Sequence, residues 1–429
     1  MNYSFFEDKQ VINPNKIPKE IYARLMAIGG LDISDNNVKI AFCGIIVSDE
    51  CTYCFFPTKS SERNPQAINT LIKVIHSYNF SVNSSLLIHD EDDQGNIIED
   101  ISLASIIEIL DLFFNTGILR SKKFIHSEKG KVNWPKTINR DFPIVANNVP
   151  IYIDPHKHPI PIYQDDLITS IHCEVILDLQ DKFYWLDDRF EFLSKNQLSE
   201  RISPTKLSID QKILLLKQRL YSTFVSLEIR VLQLLIKYLE RIKEEGSCNI
   251  VIGIRKFHFV WEFLLKNIFH DVDHKINSIL PIPQYFYSDP NKAPYNSAEK
   301  GMRIDIFIKK DNHCWVIDSK YYLAVNPQTA PEWPQLVKEI FYIKAIKLLY
   351  PEVEDCNIKN IFIFPGTNNV LSKIQMTYRD GVQDIEKLKP LTNDFAPIEC
   401  LYLDPSDVME RFIHNEKVHV RAIDESIDI

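Results

Sequence analysis

Residues 302–322, MRIDIFIKKDNHCWVIDSKYY, constrain the fold of this chain more than any other stretch. Two apolar runs, 302–308 and 314–322, flank the polar segment 309–313 (KKDNH), the grammar of two strands joined by a turn. The flanking pattern predicts a helix over 257–269 (FHFVWEFLLKNIF), a Pro- and Asn-bearing loop over 275–300, a helix over 333–349 and a strand over 358–364 (IKNIFIF). Helix, hairpin, helix, strand is an α/β core. Asp305 falls within the first strand, Asp318 near the end of the second, and Lys320 two positions further on. Residues i and i+2 of a strand share a face, so Asp318 and Lys320 project together while Ile317 and Ser319 point away. If the strands pair, Asp305 stands beside them. Carboxylates that close repel, and a hard divalent cation such as Mg²⁺ relieves the repulsion. A lysine ammonium can then orient a water and stabilise charge on a phosphate. This is equipment suited to phosphodiester hydrolysis.

An acid, any residue, then lysine is a weak signal alone, because the chain holds four: Glu7–Lys9, Asp210–Lys212, Asp273–Lys275 and Asp318–Lys320. The first is expected in a floppy terminus, the second opens a helix, and the third follows a helix end. Only the fourth closes an apolar strand with a strand Asp upstream. Burying Asp and Lys there is costly without a purpose. The bland alternative is a surface hairpin with an exposed salt bridge.

The N-terminal half reads as mixed α/β. Strands are expected at 38–47 and 52–57 around the turn Ser48-Asp49-Glu50, with helices near 65–79, 101–115 and 165–195 and an exposed loop at 90–96. The sharpest boundary signal is 201–207 (RISPTKL), after which Ser208 and Gln211 form a capping box. The apolar pattern continues to Ile242, and Gly246 supplies a left-handed stop. One helix of roughly 36 residues would reach about 55 Å and brace two domains. The expected division is 1–200, docking a partner or contacting DNA, and 201–429, the long helix plus the α/β core.

Glycine is scarce: 11 residues in 429, about a third of the usual ~7%. No G-x-G-x-x-G or G-x-x-x-x-G-K-[ST] is present, so the usual loops that bring backbone N–H groups to a nucleotide phosphate are missing. Nucleotide energy would have to come from a partner. Net charge is −9, yet Arg120, Lys122, Lys123, Lys129, Lys131, Lys136 and Arg140 face the single acid Glu128. That excess suits phosphate contacts; a solvated loop or a face for an acidic partner is the plainer reading. Acidic Glu7 and Asp8 stand where a signal peptide needs basic residues, no apolar run reaches the ~18–20 residues of a membrane span, and eight cysteines are scattered. A cytoplasmic location is expected.

Asp305, Asp318 and Lys320 resemble the PD-(D/E)xK nuclease signature, with Ile304 where Pro often stands, and Glu262 matches the acid on the first core helix of such folds. Residues 130–138 (GKVNWPKTI) look like a segment of LlaJI-type restriction endonucleases, relatives of McrC nuclease subunits. Lys338-Glu339-Ile340-Phe341-Tyr342 resembles their K-Q-x-x-Y helix, with Glu339 in place of Gln. The resemblance, patchy over about 130–365, implies a DNA endonuclease. Asp305, Asp318 and the Ser319 carbonyl would bind one or two Mg²⁺ ions, Lys320 would position the water, and Glu262 would assist. It also implies double-stranded DNA as substrate and a McrB-like AAA+ GTPase as partner. Lys122, Lys123, Lys131, Trp134, Lys136 and Arg140 are then candidates for contact with either, and Lys338, Glu339 and Tyr342 are auxiliary. A non-catalytic adaptor of the same fold, anchoring or stimulating a AAA+ motor, is the competing class; it need not keep all three of Asp305, Asp318 and Lys320.

Other signals are weaker. His270 and His274 are spaced as a helical zinc pair, but no third ligand is evident. Cys51 and Cys54 lack a second pair nearby, and the acidic loop from Asp90 has Ile101 where a calcium loop needs Glu. The apolar stripe of Leu214, Leu220, Leu227, Val231, Leu234 and Leu235 is core rather than a dimer seam.

Overall fold

The computed structural model describes residues 2–14, 17–34, 37–48, 51–84, 97–99, 103–125, 128–147, 149–186, 204–245, 250–297, 301–377 and 395–420. The expected loop at 90–96, Asp49 and Glu50 of the expected turn, residues 187–195 of the helix expected over 165–195, residues 201–203 of the expected boundary and Gly246 lie outside them.

The first hundred residues carry β1 (Asn2–Glu7), β2 (Val11–Ile12), α1 (Lys19–Ala27), β3 (Leu31–Ser34), β4 (Asn37–Ile40), β5 (Cys43–Val47), β6 (Cys51–Phe56), α2 (Pro65–Ser84) and β7 (Ile97–Glu99). β5 and β6 form the expected antiparallel hairpin. The run from residue 38 is broken before Cys43, and β4 instead joins β2 and β3 in a small sheet.

Next come α3 (Leu103–Thr116), β8 (Ser121–Ile125), α4 (Trp134–Arg140), β9 (Ile144–Ala146), β10 (Val149–Ile151), β11 (Ile160–Gln164), α5 (Leu167–Phe183), α6 (Ile209–Ser222) and α7 (Ser226–Glu245). The capping box of Ser208 and Gln211 opens α6. The single long helix is not formed. The chain leaves the helix at Thr223 (φ −106°, ψ 146°), and α7 runs back along α6, as the ion pairs Lys217–Glu240 and Lys243–Asp210 show. Thr223, Phe224 and Val225 are β-branched or aromatic and favour extended backbone. The Arg219 guanidinium and the Thr223 hydroxyl both donate to Glu228, whose charge suits the first turn of α7.

The remainder supplies β12 (Ile250–Ile254), α8 (Phe257–Ile268), β13 (Gln284–Tyr285), β14 (Tyr295–Asn296), β15 (Ile306–Lys310), β16 (His313–Ser319), α9 (Trp333–Leu349), β17 (Ile358–Pro365), β18 (Lys373–Ile374), β19 (Ile398–Leu403) and α10 (Pro405–Ile413).

Two compact units result, one of residues 101–249 and one of residues 2–100 with 250–429. The boundary expected near residue 200 is therefore replaced by two. The cause is a non-local pairing: β12 lies between β5 and β7 in the sheet β1–β6–β5–β12–β7. Every residue of β5 and β12 is buried. Gly44 (φ 143°) sits opposite Gly253, and a Cβ at Gly44 would stand 2.2 Å from the Ile252 carbonyl oxygen. Two of the few glycines thus serve one close approach.

The second sheet of this unit has the order β15–β16–β17–β19–β18. β15 and β16 are antiparallel, whereas β16, β17 and β19 run parallel. α9 lays Tyr342, Ile343 and Ile346 onto Phe307, Val316 and Ile358. Burial of each such side chain contributes roughly 1.5–3 kcal/mol. α8 is braced through Phe263, whose ring lies 5.5 Å from Tyr78 on α2 and 5.3 Å from Phe412 on α10. Fold class is as the sequence predicts: mixed α/β with a mixed central sheet.

Candidate active site

The β15–β16 register ends at the pair Ile306–Ile317, so Asp305 and Asp318 are the next residues on either side, close enough for their carboxylates to repel. Asp305 lies just before β15 rather than within it. There its carboxylate takes over from the ladder: Oδ2 accepts the Ser319 N–H at 2.9 Å and the Ser319 hydroxyl at 2.8 Å. Ser319 therefore does not simply point away. It ends β16, and its hydroxyl orients Asp305, a contact no sequence spacing announces.

Asp318 is 3% exposed. Its Oδ2 is ion-paired with Lys320, and its Oδ1 lies 3.6 Å from Lys338 Nζ. Lys320 Nζ also stands 5.2 Å from the centre of the Phe362 ring on β17. Asp305, Asp318 and Lys320 thus meet at one strand end, with Lys338 of α9 beside them.

α9 presents three residues to this point. Lys338 stands 5.2 Å over the Tyr342 ring, and the Tyr342 hydroxyl donates to the Arg303 carbonyl, tying down the approach to Asp305. Glu339 is fully buried, and neither carboxylate oxygen has a hydrogen-bond partner among the described residues. Burial, reinforced by Asp318, pushes its carboxyl up to about 9 against the pull of Lys320 and Lys338. Asp305 is raised by burial and then by Asp318, with the two Ser319 bonds opposing. Lys338 is disfavoured as a cation by burial, but Asp318 and Tyr342 outweigh that and hold it above the ordinary lysine value. Glu262 is half-buried on α8. That helix is laid against the end of β16 by Phe257 and Trp261, whose rings lie 5.3 and 6.2 Å from Tyr321.

These residues fit a hard cation. The donors are all oxygen, Asp305 and Asp318 repel each other, and Glu339 keeps two unpartnered oxygens behind them. Among the described residues no three His, Cys, Asp or Glu side chains are close enough to hold an ion. The protein's share would be Asp305, Asp318 and the Ser319 carbonyl, leaving positions for water and phosphate as Mg²⁺ prefers.

The remaining candidates lie in the other unit. Lys122 and Lys123 are exposed on β8, opposite Tyr163 and Ile162 of β11. Asn133 caps α4, whose exposed Trp134 packs edge-on to Tyr152 at 6.1 Å, while Arg140 ends the helix in solvent. The Lys131 carbonyl accepts from His158 N–H at 2.7 Å. Lys136 lines an open cleft of about 740 Å³ with Phe142, Ile151, Asp141, Asp154 and Lys157. This surface mixes bases, acids and exposed apolar side chains rather than forming an unbroken basic face.

The discounted motifs stay discounted. α8 ends at Ile268 and Asp271 has φ 61°, so His270 and His274 do not share a helix face. Cys51 and Cys54 are free thiols three apart on β6, on opposite faces.

A mixed sheet in an α/β fold, whose antiparallel hairpin ends beside two neighbouring aspartates and a paired lysine, defines an acid–lysine site at a strand end. The chain belongs to the LlaJI restriction endonuclease family, whose profile matches residues 42–393. It is 22% identical over 327 residues to component YdjA of the type II restriction enzyme BsuMI of Bacillus subtilis (strain 168), an alignment covering 69% of this chain and 63% of that protein. The chain thus spans a little under two thirds of that relative's length. Among solved structures, a half-complex of Thermococcus gammatolerans McrB AAA+ hexamers with bound McrC aligns with TM-score 0.36 and 11% identity, over 96% of this chain and 100% of that one. The McrBC complex of the same organism aligns with TM-score 0.27 and 11% identity, over 63% and 89%. No helix among the described residues is long and apolar enough to cross a membrane.

Proposed function

We propose that this protein is the Mg²⁺-dependent endonuclease subunit of a restriction system acting against phage, hydrolysing phosphodiester bonds of double-stranded DNA beside a McrB-like AAA+ GTPase. One observation carries the reading: Asp305 close to Asp318, with Lys320 paired to Asp318, at the end of a buried strand. Family membership supports it.

Asp305, Asp318 and the Ser319 carbonyl would hold Mg²⁺, which supplies Lewis-acid polarisation of the scissile phosphate. Ser319 keeps Asp305 turned inward through two hydrogen bonds. Lys320, 12% exposed at its side chain, stands beside Asp318, where it would orient the attacking water and offset charge on the phosphate. Lys338 neutralises Asp318 from α9, and Glu262 assists through water. GTP hydrolysis is assigned to the partner, since this chain has no phosphate-cradling glycine loop. Lys122, Lys123, Lys131, Trp134, Lys136 and Arg140 contact the DNA backbone or that partner.

The test is plasmid cleavage with Mg²⁺, GTP and the partner subunit. Asp318→Ala and Lys320→Ala should each abolish cleavage while leaving the fold and partner binding intact. Metal-dependent cleavage by both variants removes the assignment, and no cleavage by the unaltered chain leaves the adaptor.

A further inference from the structure

The Glu7–Lys9 segment, which the sequence places in a floppy terminus, is built into the larger unit. After β1, Asp8 N–H donates to the Phe56 carbonyl and Lys9 N–H to the Ile40 carbonyl, each at 2.8 Å. Lys9 takes φ 63°, a left-handed conformation that a side chain other than glycine adopts only where its surroundings hold it. Its ammonium donates to the backbone carbonyl of Tyr321 and stands 4.5 Å over that residue's ring.

Tyr321 is 5% exposed and is gripped at every polar atom of its side chain and carbonyl. Its hydroxyl accepts the Thr58 N–H at 3.0 Å, donates to the Asp8 carboxylate, and lies 3.9 Å from Cys43 Sγ. Phe257 and Trp261 close on its ring from α8. Asp8 is itself 3% exposed, and burial pushes its carboxyl up to about 6 and Lys9 below the ordinary lysine value. A carboxylate withdrawn from water is a poor device for stability alone, because desolvation offsets most of what its partners return. The clearest effect of these contacts is to fix one geometry.

What that geometry fixes is the residue before it. β16 ends at Ser319, and beyond the strand the Lys320 backbone has its N–H bonded to the Ile363 carbonyl at 2.9 Å and is continued directly by Tyr321. A lysine has four rotatable bonds, so its ammonium is placed only as well as its Cα. We propose that Lys9 and Tyr321, with Asp8, are positioning residues that anchor the backbone of Lys320 and so set where its ammonium meets the scissile phosphate. This rests on the nuclease reading for the role of Lys320. The anchoring itself is a statement about the Lys320 backbone and is separable from it.

The experiment uses the full chain with two variants, Lys9→Met, which keeps the aliphatic stem, and Tyr321→Phe, which removes only the hydroxyl. Accessibility of Lys320 is read by competitive labelling with acetic anhydride and mass spectrometry, with exposed Lys123 as internal reference, and melting temperature is recorded alongside. Cleavage kinetics are measured with Mg²⁺, GTP and the partner. The expected result is faster labelling of Lys320 alone in both variants, and kcat reduced by roughly 10- to 100-fold with KM for DNA unchanged. Unchanged Lys320 labelling overturns the anchoring, whatever the activity does. Labelling that rises at all lysines together with a lower melting temperature shows mere loosening of the fold and also overturns it. Selective labelling of Lys320 in a protein whose unaltered form never cleaves DNA upholds the anchoring and removes the nuclease reading instead.

Discussion

Glu339 makes the metal-free protein sensitive to alkaline pH, and the sign follows from its burial. Its carboxyl rises from an ordinary 4.5 to about 9 in the folded state, burial being the larger cause and Asp318 the second. Between those values the folded chain holds a proton that the unfolded chain has released. The stability contributed by this group is fully present below pH 4.5 and is lost as pH rises through about 9. Each pH unit in that window costs about 1.4 kcal/mol. At pH 7 the loss is about 3 kcal/mol relative to pH 4.5. Glu339→Gln replaces the acid with a neutral amide of the same shape, so it should stabilise the protein at pH 7 by about 3 kcal/mol and remove that part of the pH slope. Asp305, raised for the same reasons, leaves a residual slope of the same sign. The assay is urea unfolding followed by circular dichroism from pH 5 to 9 in EDTA, comparing the two proteins. Parallel pH profiles, or a less stable Gln variant, would refute the reasoning. Added Mg²⁺ should flatten the profile of the unaltered protein, because a cation beside Asp305 and Asp318 lets Glu339 ionise.

Three further outcomes are expected. His172 is 1% exposed, its Nδ1 accepts the Leu119 N–H at 3.1 Å, and burial lowers it to about 4. Its neutral form is the folded one, so stability of the 101–249 unit should hold above pH 6.5 and fall by up to about 3 kcal/mol toward pH 4; His172→Gln should unfold without that acid slope, and equal slopes would discard the claim. Gly44→Ala drives a Cβ to within 2.2 Å of a carbonyl oxygen at a positive φ and should cost at least about 3 kcal/mol, read as a lower denaturation midpoint. Lys122→Glu with Lys123→Glu, both exposed, should weaken binding of DNA or of the partner without changing the melting temperature. Unchanged affinity in both assays would return β8 to a plain solvated edge.

The site was more legible than the architecture around it, for a physical reason. The i, i+2 rule and the hairpin turn are local, so the meeting of Asp305, Asp318 and Lys320 follows from about twenty consecutive residues. Pairing of β12 with β5 is not local: both strands are uniformly apolar, and nothing in either names its partner. A domain boundary at residue 200 came from a genuine helix start at Ser208, which marks where a helix begins and says nothing of which sheet its neighbours join. The α6–α7 turn was hidden because the apolar period continues across Thr223, and three residues of low helix propensity do not outweigh a long periodic run. Lys9 was unreadable for the opposite reason: its partner Tyr321 lies 312 residues away.

The placement of buried charge argues for function independently of any resemblance. Among the described residues, four Asp, Glu, Lys or Arg side chains are buried: Asp8, Lys182, Asp318 and Glu339. Lys182 is accounted for by Asp178 one helical turn earlier, at 2.9 Å. The other three converge on the end of β16, where Asp318 belongs to the strand, Glu339 acts on it from α9, and Asp8 bonds Tyr321 just beyond it. A fold selected only for stability would disperse such groups or replace them with apolar side chains of similar volume, since a buried ion pair rarely outperforms packing. Placing Asp318 and Glu339 side by side, with Glu339 raised by burial and left without a hydrogen bond, loads that point with repulsion that a bound cation would relieve. On the proposed function the metal-free protein would then be less stable than its loaded form, and the stability it lacks would be free energy available for binding the cation.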